Sequence, residues 1–234
     1  MTTATPPSAT ASPSHSPGGP KKRILLVDDH ELVRTALKGM LERDESFEVV
    51  GECANAEDAL AGAFECEPDI LVMDIDMPGM ICFDAVKQMR TRLPDLGVIF
   101  LSAFFHDHYI EQAIAVGAKG YVVKGDPPRT LFDALAQVAG GGVYFSEEVQ
   151  ARFALDKEGK PTAKRVTVTS TLTNREVEVL RYLARGLSKK EIAKTMHLSV
   201  KTVEHHSASV MRKLDIHDRV ELARYAIREG LAEA

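Results

Sequence analysis

The chain has 234 residues, of which 44% are hydrophobic and 27% charged, and its formal net charge is −5. No apolar run approaches the roughly 20 residues of a membrane-spanning helix, and the N-terminus lacks the pattern of a secretory signal, so we expect a cytoplasmic protein with no membrane partner. The three cysteines form no CxxC pair, which argues against a disulfide framework and a zinc site. The length allows two modest domains. Residues 171–234 are basic whereas the rest is acidic, which suggests two domains with different partners.

The first two thirds of the chain predict an α/β domain. Residues 1–20 are rich in Thr, Ser, Pro, Ala and Gly and are predicted to be disordered. From there, strand patterns at 23–29, 47–54, 69–74, 98–102 and 120–124 alternate with helical patterns at 30–43, 56–65, 82–92, 107–118 and 129–142. This alternation with short loops predicts a domain over residues 21–142 with five parallel strands, doubly wound with helices on both faces.

Polar side chains stand where four of these apolar strands end: Asp28, Asp29, Asp74, Ser102 and Lys124. The carboxyl ends of parallel strands share one edge of an open sheet, where such sheets bind their ligands. Carboxylates, a hydroxyl and an ammonium gathered there predict chemistry on a phosphoryl group with a divalent cation.

The C-terminal part of the chain shows a polar segment and helical patterns instead of alternating strands and helices. Residues 143–170 are predicted to be a polar linker that begins with one short helix. Residues 171–234 predict an all-α domain of four helices, at about 173–184, 188–195, 199–214 and 218–229. Thr173-x-x-Glu176 and Ser188-x-x-Glu191 fit capping boxes, and Asp218 fits the N-cap of the last helix.

The first domain resembles the receiver domain of two-component response regulators. The resemblance rests on Asp28-Asp29, Asp74 followed by Met77-Pro78-Gly79, Ser102, and Lys124 preceded by Tyr121. It implies a flavodoxin-like fold in which Asp74 accepts a phosphoryl group from a sensor histidine kinase, with Mg²⁺ as cofactor, and no enzymatic function of the chain's own.

The same resemblance assigns roles within the site. Asp29 and Asp74 would bind Mg²⁺ directly, Asp28 would act through water, and Asp76 would contribute its backbone carbonyl. The acidic side chain of Asp76 is a departure from many relatives that could alter how fast the phosphate is lost.

Three further residues belong to the implied switch. Lys124 would pair with the phosphoryl oxygens, and the Ser102 hydroxyl would move toward them. Tyr121 matches the aromatic residue that turns inward when this happens.

A phosphatase is the rival interpretation. Asp74-Ile75-Asp76 after an apolar strand fits the DxD motif of haloacid-dehalogenase-type phosphatases, with Ser102 and Lys124 as later motifs. Those enzymes carry further metal-binding acids after the nucleophile, whereas the acidic pair here precedes it. Chain order therefore favours the receiver.

The helical domain resembles the DNA-binding domain of the LuxR/NarL/FixJ class. The marks are Leu172-Thr173, Arg175-Glu176, Val179-Leu180, Gly186-Leu187-Ser188, Lys190-Glu191-Ile192-Ala193, Leu198-Ser199, Lys201-Thr202-Val203 and Arg212-Lys213-Leu214. Residues 188–195 would be the scaffold helix and 199–214 the recognition helix in the major groove of promoter DNA.

Residue roles on the DNA follow from the resemblance and from helical spacing. The predicted DNA-binding residues are Lys189, Lys190, Lys201, Thr202, Glu204, His205, Ala208, Arg212 and Lys213. The lysines and Arg212 would contact phosphates, whereas Glu204, His205 and Ala208 would read bases. Two alternatives stay open: the helical tail could bind protein instead, and the last helix, with its apolar residues, could form a homodimer on phosphorylation or simply complete the core.

Overall fold

The computed structural model describes residues 20–77, 80–103, 107–146, 149–150, 153–155, 161–163, 171–229 and 231–232. The predicted disorder of residues 1–20 falls almost entirely outside these ranges, as do Pro78 and Gly79 of the receiver motif. Five βα units form the first domain: β1 Lys22–Val27, α1 Glu31–Leu41, β2 Phe47–Cys53, α2 Ala56–Cys66, β3 Ile70–Asp74, α3 Cys82–Arg92, β4 Gly97–Ser102, α4 Asp107–Ala115, β5 Gly120–Val123 and α5 Pro128–Ala139.

The sheet confirms the doubly wound prediction and adds one strand to it. Strand order is β2-β1-β3-β4-β5-β6, and all neighbouring strands are parallel. The prediction of five strands was one short, because β6 is only Tyr144–Phe145 and pairs with the edge strand β5. Two residues give no alternating pattern that sequence reasoning could detect.

The segment predicted as a linker also contains local structure. Strands β7 (Phe153–Leu155) and β8 (Pro161–Ala163) pair in an antiparallel two-stranded sheet. These two described segments of the predicted linker of 143–170 are therefore strands, and within the predicted short helix residues 149–150 are described as helical.

The core of the first domain lies on both faces of the sheet. Every residue of β3 and β4 is buried, as expected for central strands covered by helices on both sides. Successive residues of β1, such as Leu25 and Leu26, belong to the apolar clusters on opposite faces. This rigid centre fixes the ends of β1, β3 and β4, where the candidate site residues lie.

The helical domain has the four predicted helices. They are α6 Asn174–Ala184, α7 Lys189–Thr195, α8 Val200–Leu214 and α9 Arg219–Arg228. Both predicted capping boxes are present, and the Asp218 carboxylate accepts hydrogen bonds from the first turn of α9. Each cap satisfies backbone amides that the helix cannot pair internally, so the helix starts are set locally.

Candidate functional site

The carboxyl ends of the strands bring together a lysine and buried carboxylates. The Lys124 Nζ atom lies 2.6 Å from Oδ2 of Asp28 and 2.8 Å from Oδ2 of Asp74. Both aspartates are buried, Asp74 completely. We call Asp28, Asp29, Asp74 and Lys124 the strand-end pocket; these are four of the five residues predicted at the strand ends, and the fifth, Ser102, is buried at the end of β4.

Burial and Lys124 have opposite effects on the pKa of Asp74. Burial raises the pKa of Asp74 to about 6, although the charge and hydrogen bond of Lys124 oppose this rise. For Lys124, burial alone would lower the pKa, but Asp74 and Asp28 outweigh it and raise the pKa above its ordinary value. The pocket is thus a site where an anionic oxygen and a fixed cation face each other in a poorly hydrated environment.

The donor set of the pocket fits a hard divalent cation. Asp28, Asp29, His30 and Asp74 each offer an atom, and these atoms lie within 4.8 Å of one another. Oδ2 of Asp28 and Oδ2 of Asp74 face the Lys124 ammonium, and Oδ1 of Asp29 faces Nδ1 of His30. Clustered carboxylate oxygens suit Mg²⁺, which needs only a few protein ligands beside its waters.

His30 was not among the predicted site residues. Its Nδ1 atom lies 2.9 Å from Oδ1 of Asp29, and its backbone amide donates to Oδ1 of Asp28. The only signal in the sequence was its position directly after the acidic pair.

Asp76 contributes to the site in a different way from its neighbours. Its backbone amide donates a hydrogen bond of 3.0 Å to Oδ1 of Asp74. Its side chain turns away from the pocket and lies 2.7 Å from Nη1 of Arg181, on α6 of the helical domain. The carboxylate is therefore not part of the metal-ligand cluster, which leaves the backbone as the group that Asp76 could offer to a metal. Nothing in the sequence singled out Arg181.

The predicted switch residues are in contact. Ser102 ends β4 and is completely buried, and the Tyr121 side chain is hydrogen-bonded to it. Burial raises the pKa of Tyr121, so its hydroxyl stays protonated and can donate. Tyr121 thus occupies an inward, buried position on β5.

The outward side of α8 carries most of the predicted DNA contacts. All members of this surface are exposed, and we call it the reading face: Lys201, Glu204, His205, Ala208 and Arg212. Val203 and Val210 on the opposite side are completely buried. Lys189 and Lys190, at the start of α7, are also exposed, and Thr202 is half-buried.

Lys213 differs from the other predicted cations. Its Nζ atom lies 2.6 Å from Oε2 of Glu176 and donates to the Thr171 carbonyl. Although burial opposes it, the bonds from Lys213 and neighbouring hydroxyls lower the pKa of Glu176 to about 2. The ammonium is committed to a bond within the domain, which no helical spacing revealed.

Comparison with known families covers both domains. Residues 24–136 match the response regulator receiver domain, and residues 170–226 match the bacterial regulatory proteins of the luxR family. The chain is also 34% identical to the response regulator protein VraR of Staphylococcus aureus, over 90% of this chain and 99% of that protein. The chain is a response regulator of the luxR family. Response regulators built in this way are phosphorylation-controlled transcription regulators, and this function applies here.

Solved structures of this response regulator's relatives agree with the fold. RcsB from Salmonella enterica serovar Typhimurium, bound to the promoter P1flhDC with the phosphomimetic BeF₃⁻, matches with a TM-score of 0.63 and 26% identity, over 88% of this chain and 98% of that chain. A second RcsB structure from Salmonella typhimurium matches with a TM-score of 0.69 and 25% identity, over 90% and 98%. Within the described part of the chain, no helix has the length and apolar character to cross a bilayer.

Proposed function

We propose that Asp74 accepts a phosphoryl group from a sensor histidine kinase. The observation that carries this proposal is the contact of Lys124 with Asp74 at the end of a buried strand. An oxygen of the Asp74 carboxylate attacks phosphorus, the P–N bond to the kinase histidine breaks, and the nitrogen keeps the electron pair of that bond. Lys124 stabilises the charge on the phosphoryl oxygens, and positioning of this kind supplies most of the catalysis in phosphoryl transfer.

Asp28, Asp29 and Asp74 are the residues that would hold Mg²⁺, with the Asp76 backbone carbonyl beside them. When bound, the metal would neutralise charge on the transferring group. The half-buried Lys124 and the buried Asp28 keep Asp74 in a fixed orientation, since both carboxylates contact the same ammonium.

The helical domain is proposed to bind promoter DNA through α8. Its reading face is exposed, and the relative RcsB has been solved on promoter DNA. Lys201 and Arg212, with Lys189 and Lys190 on α7, are proposed to contact phosphates. Thr202 is proposed to lie near the backbone, whereas Glu204, His205 and Ala208 would meet base edges. Lys213 was predicted to contact phosphate as well, but its bonds to Glu176 and Thr171 support a role in holding the domain together.

The last helix is proposed to form a homodimer contact in the phosphorylated protein. Leu222 and Ala226 of α9 are completely buried in the domain core, whereas Val220 is 60% and Ile227 38% exposed. One side of α9 can therefore complete the domain core while the other side forms the homodimer contact. A two-fold dimer would match paired half-sites on DNA.

The direct test of the phosphoacceptor is labelling with a small phosphodonor, acetyl phosphate, in the presence of Mg²⁺. The wild type and the control variant Asp84→Asn, which alters an exposed carboxylate on α3, should label equally. Asp74→Asn should abolish labelling and removal of Mg²⁺ should suppress it. Undiminished labelling of Asp74→Asn would contradict the proposal.

A mobility-shift assay at two salt concentrations separates DNA binding from the protein-binding alternative for the tail. Binding to DNA phosphates should weaken steeply as salt rises, because it releases counterions. A phosphorylated protein that shifts no promoter fragment at low salt would favour the protein-binding alternative.

A further inference from the structure

The imidazole of His30 lies beside the carboxylates of the strand-end pocket. Its Nδ1 atom is 2.9 Å from Oδ1 of Asp29 and 3.4 Å from Oδ1 of Asp28. A ring nitrogen of His30 and one carboxylate oxygen from each of Asp28, Asp29 and Asp74 lie within 4.8 Å of one another. Over the part of the chain that the structure describes, these four residues form the only group of His, Cys, Asp and Glu side chains spaced to hold a metal ion. His30 is the nitrogen donor of that group.

The backbone of His30 is held on both sides. Its amide donates to Oδ1 of Asp28 at 2.9 Å, and its carbonyl accepts from the amide of Arg34 at 3.1 Å. The Arg34 guanidinium also donates to the Asp28 carbonyl at 2.6 Å. The place of the His30 ring beside the acids therefore follows from the way in which β1 passes into α1.

The side chain of His30 is used neither to cap α1 nor to fill the core. His30 precedes the first residue of α1, a position where a side-chain oxygen commonly caps the helix. Its side chain makes no capping hydrogen bond and is 68% exposed. Its contact with the acidic pair is thus the feature that needs a chemical reason.

The two oxygens of the pocket carboxylates have different neighbours. The Lys124 ammonium contacts Oδ2 of Asp28 and Oδ2 of Asp74. The His30 ring lies instead beside Oδ1 of Asp28 and Oδ1 of Asp29. A cation can therefore bind on the Oδ1 side without displacing the ammonium, and His30 stands on that side.

An imidazole nitrogen changes which cations such a site prefers. Mg²⁺ takes oxygen ligands, whereas divalent ions of the first transition series also bind imidazole. Opposite ligands of an octahedral ion with bonds of about 2.1 Å are about 4.2 Å apart, close to the spacing of the donor atoms in this group. A transition-metal ion can therefore use the same carboxylates as Mg²⁺ and gain the nitrogen besides.

We propose that His30 is a metal ligand of the strand-end pocket and makes it prefer divalent transition-metal ions to Mg²⁺. The carboxylates hold either kind of ion, whereas the nitrogen contributes to the binding of only one kind. This inference rests on the proposed function, because it takes the pocket as the place where the cation for phosphoryl transfer binds. It goes further by naming the residue that sets the selectivity for that cation.

The test titrates the full chain with Mn²⁺, which binds isolated nitrogen donors most weakly among these ions and is therefore a stringent probe. The loss of the electron paramagnetic resonance signal of free Mn²⁺ gives its affinity, and competition gives that of Mg²⁺. His30→Ala should weaken Mn²⁺ binding about tenfold, the lower end of the cost of losing a metal-site partner, and leave Mg²⁺ binding unchanged. His30→Phe, a ring without nitrogen, should behave in the same way.

His217→Ala is the matched control, because it removes an imidazole that is 74% exposed on the helical domain. It should bind both ions like the wild type. Asp29→Asn removes a carboxylate of the pocket and should weaken the binding of both ions.

A spectroscopic measurement shows whether the nitrogen touches the metal. With less than one equivalent of Mn²⁺, electron spin echo envelope modulation should reveal a coupled ¹⁴N nucleus in the wild type and in His217→Ala, and none in His30→Ala. The wild-type spectrum needs no variant, so it remains decisive if a substitution at His30 prevents folding.

Two results would overturn the inference alone. One is a wild type without ¹⁴N coupling; the other is an equal loss of Mn²⁺ and Mg²⁺ affinity in folded His30→Ala, as expected if His30 only orients Asp29. Binding of both ions that is undiminished in Asp29→Asn, or a wild type that binds neither ion, would overturn the pocket as the cation site of the proposed function, and this inference with it.

Discussion

The strand-end pocket and the reading face both depend on charged side chains, but the fold treats those charges in opposite ways. In the pocket, Asp28 and Asp74 are buried against one lysine, so their geometry is fixed before any partner arrives. On the reading face, Lys201 and Arg212 are exposed and their positions are set only by the helix that carries them. This difference indicates that the strand-end pocket is preorganised for one reaction, whereas the reading face is suited to binding an extended surface.

The largest expected effect comes from breaking the pocket. Lys124→Met leaves two buried carboxylates without their cation, so we expect the free energy of unfolding to fall by about 3 kcal/mol, as for other buried pairs that lose one partner. Urea denaturation in the absence of Mg²⁺ measures it. Adding Asp74→Asn to Lys124→Met should recover part of the loss, because one of the two charges is then gone.

Lys87 provides the control for this prediction. It is exposed on α3, so Lys87→Met should change stability by no more than about 0.5 kcal/mol. A Lys124→Met variant as stable as this control would mean that the pocket is not held together by its ion pairs.

An effect of intermediate size is expected at the Glu176–Lys213 ion pair of the helical domain. Glu176→Gln should lower the free energy of unfolding by about 2 kcal/mol, because it removes the charge that Lys213 and the Thr173 backbone amide bind.

The same pair predicts a pH dependence. The folded-state pKa of Glu176 is lowered from 4.5 to about 2, so its contribution to stability is present above about pH 4.5 and is lost as the pH falls toward 2. Denaturation curves at several acidic pH values should show this loss in the wild type and a flatter profile in Glu176→Gln. Equal pH profiles of stability in the wild type and Glu176→Gln would mean that Lys213 does not stabilise Glu176 and behaves like the exposed cations.

The smallest effect on stability is expected on the reading face. Lys201→Ala should change the free energy of unfolding by less than about 0.5 kcal/mol. It should nevertheless reduce the steepness of the salt dependence of DNA binding by about one, the value for one lost phosphate contact. Fluorescence anisotropy over a salt series measures this, with Lys87→Met again as control; an unaltered slope would remove Lys201 from the DNA interface.

The parts of the molecule that could be predicted from sequence are those with local causes. Asp74 and Lys124 were found because each ends an apolar strand, and the helix starts at Thr173 and Ser188 were found because caps have short, regular spacings. Parallel topology then brings the strand ends together without further information.

The missed features depend on contacts between distant segments. Strand β6 exists because Tyr144 and Phe145 meet the edge of β5, and Arg181 matters because α6 docks beside Asp76. Lys213 resembles a phosphate-binding cation in spacing, yet the packing of α6 against α8 gives it Glu176 instead. Neither propensity nor motif encodes which surface a helix will meet.

The central claim is that a charge added at the buried Asp74 controls what the exposed face of α8 does. It is tested most directly by measuring the affinity of one protein preparation for promoter DNA before and after addition of beryllofluoride with Mg²⁺, with Asp74→Asn in parallel. The account predicts tighter binding by the wild type after addition and no change in Asp74→Asn. An equal affinity of the wild type in both conditions would contradict it.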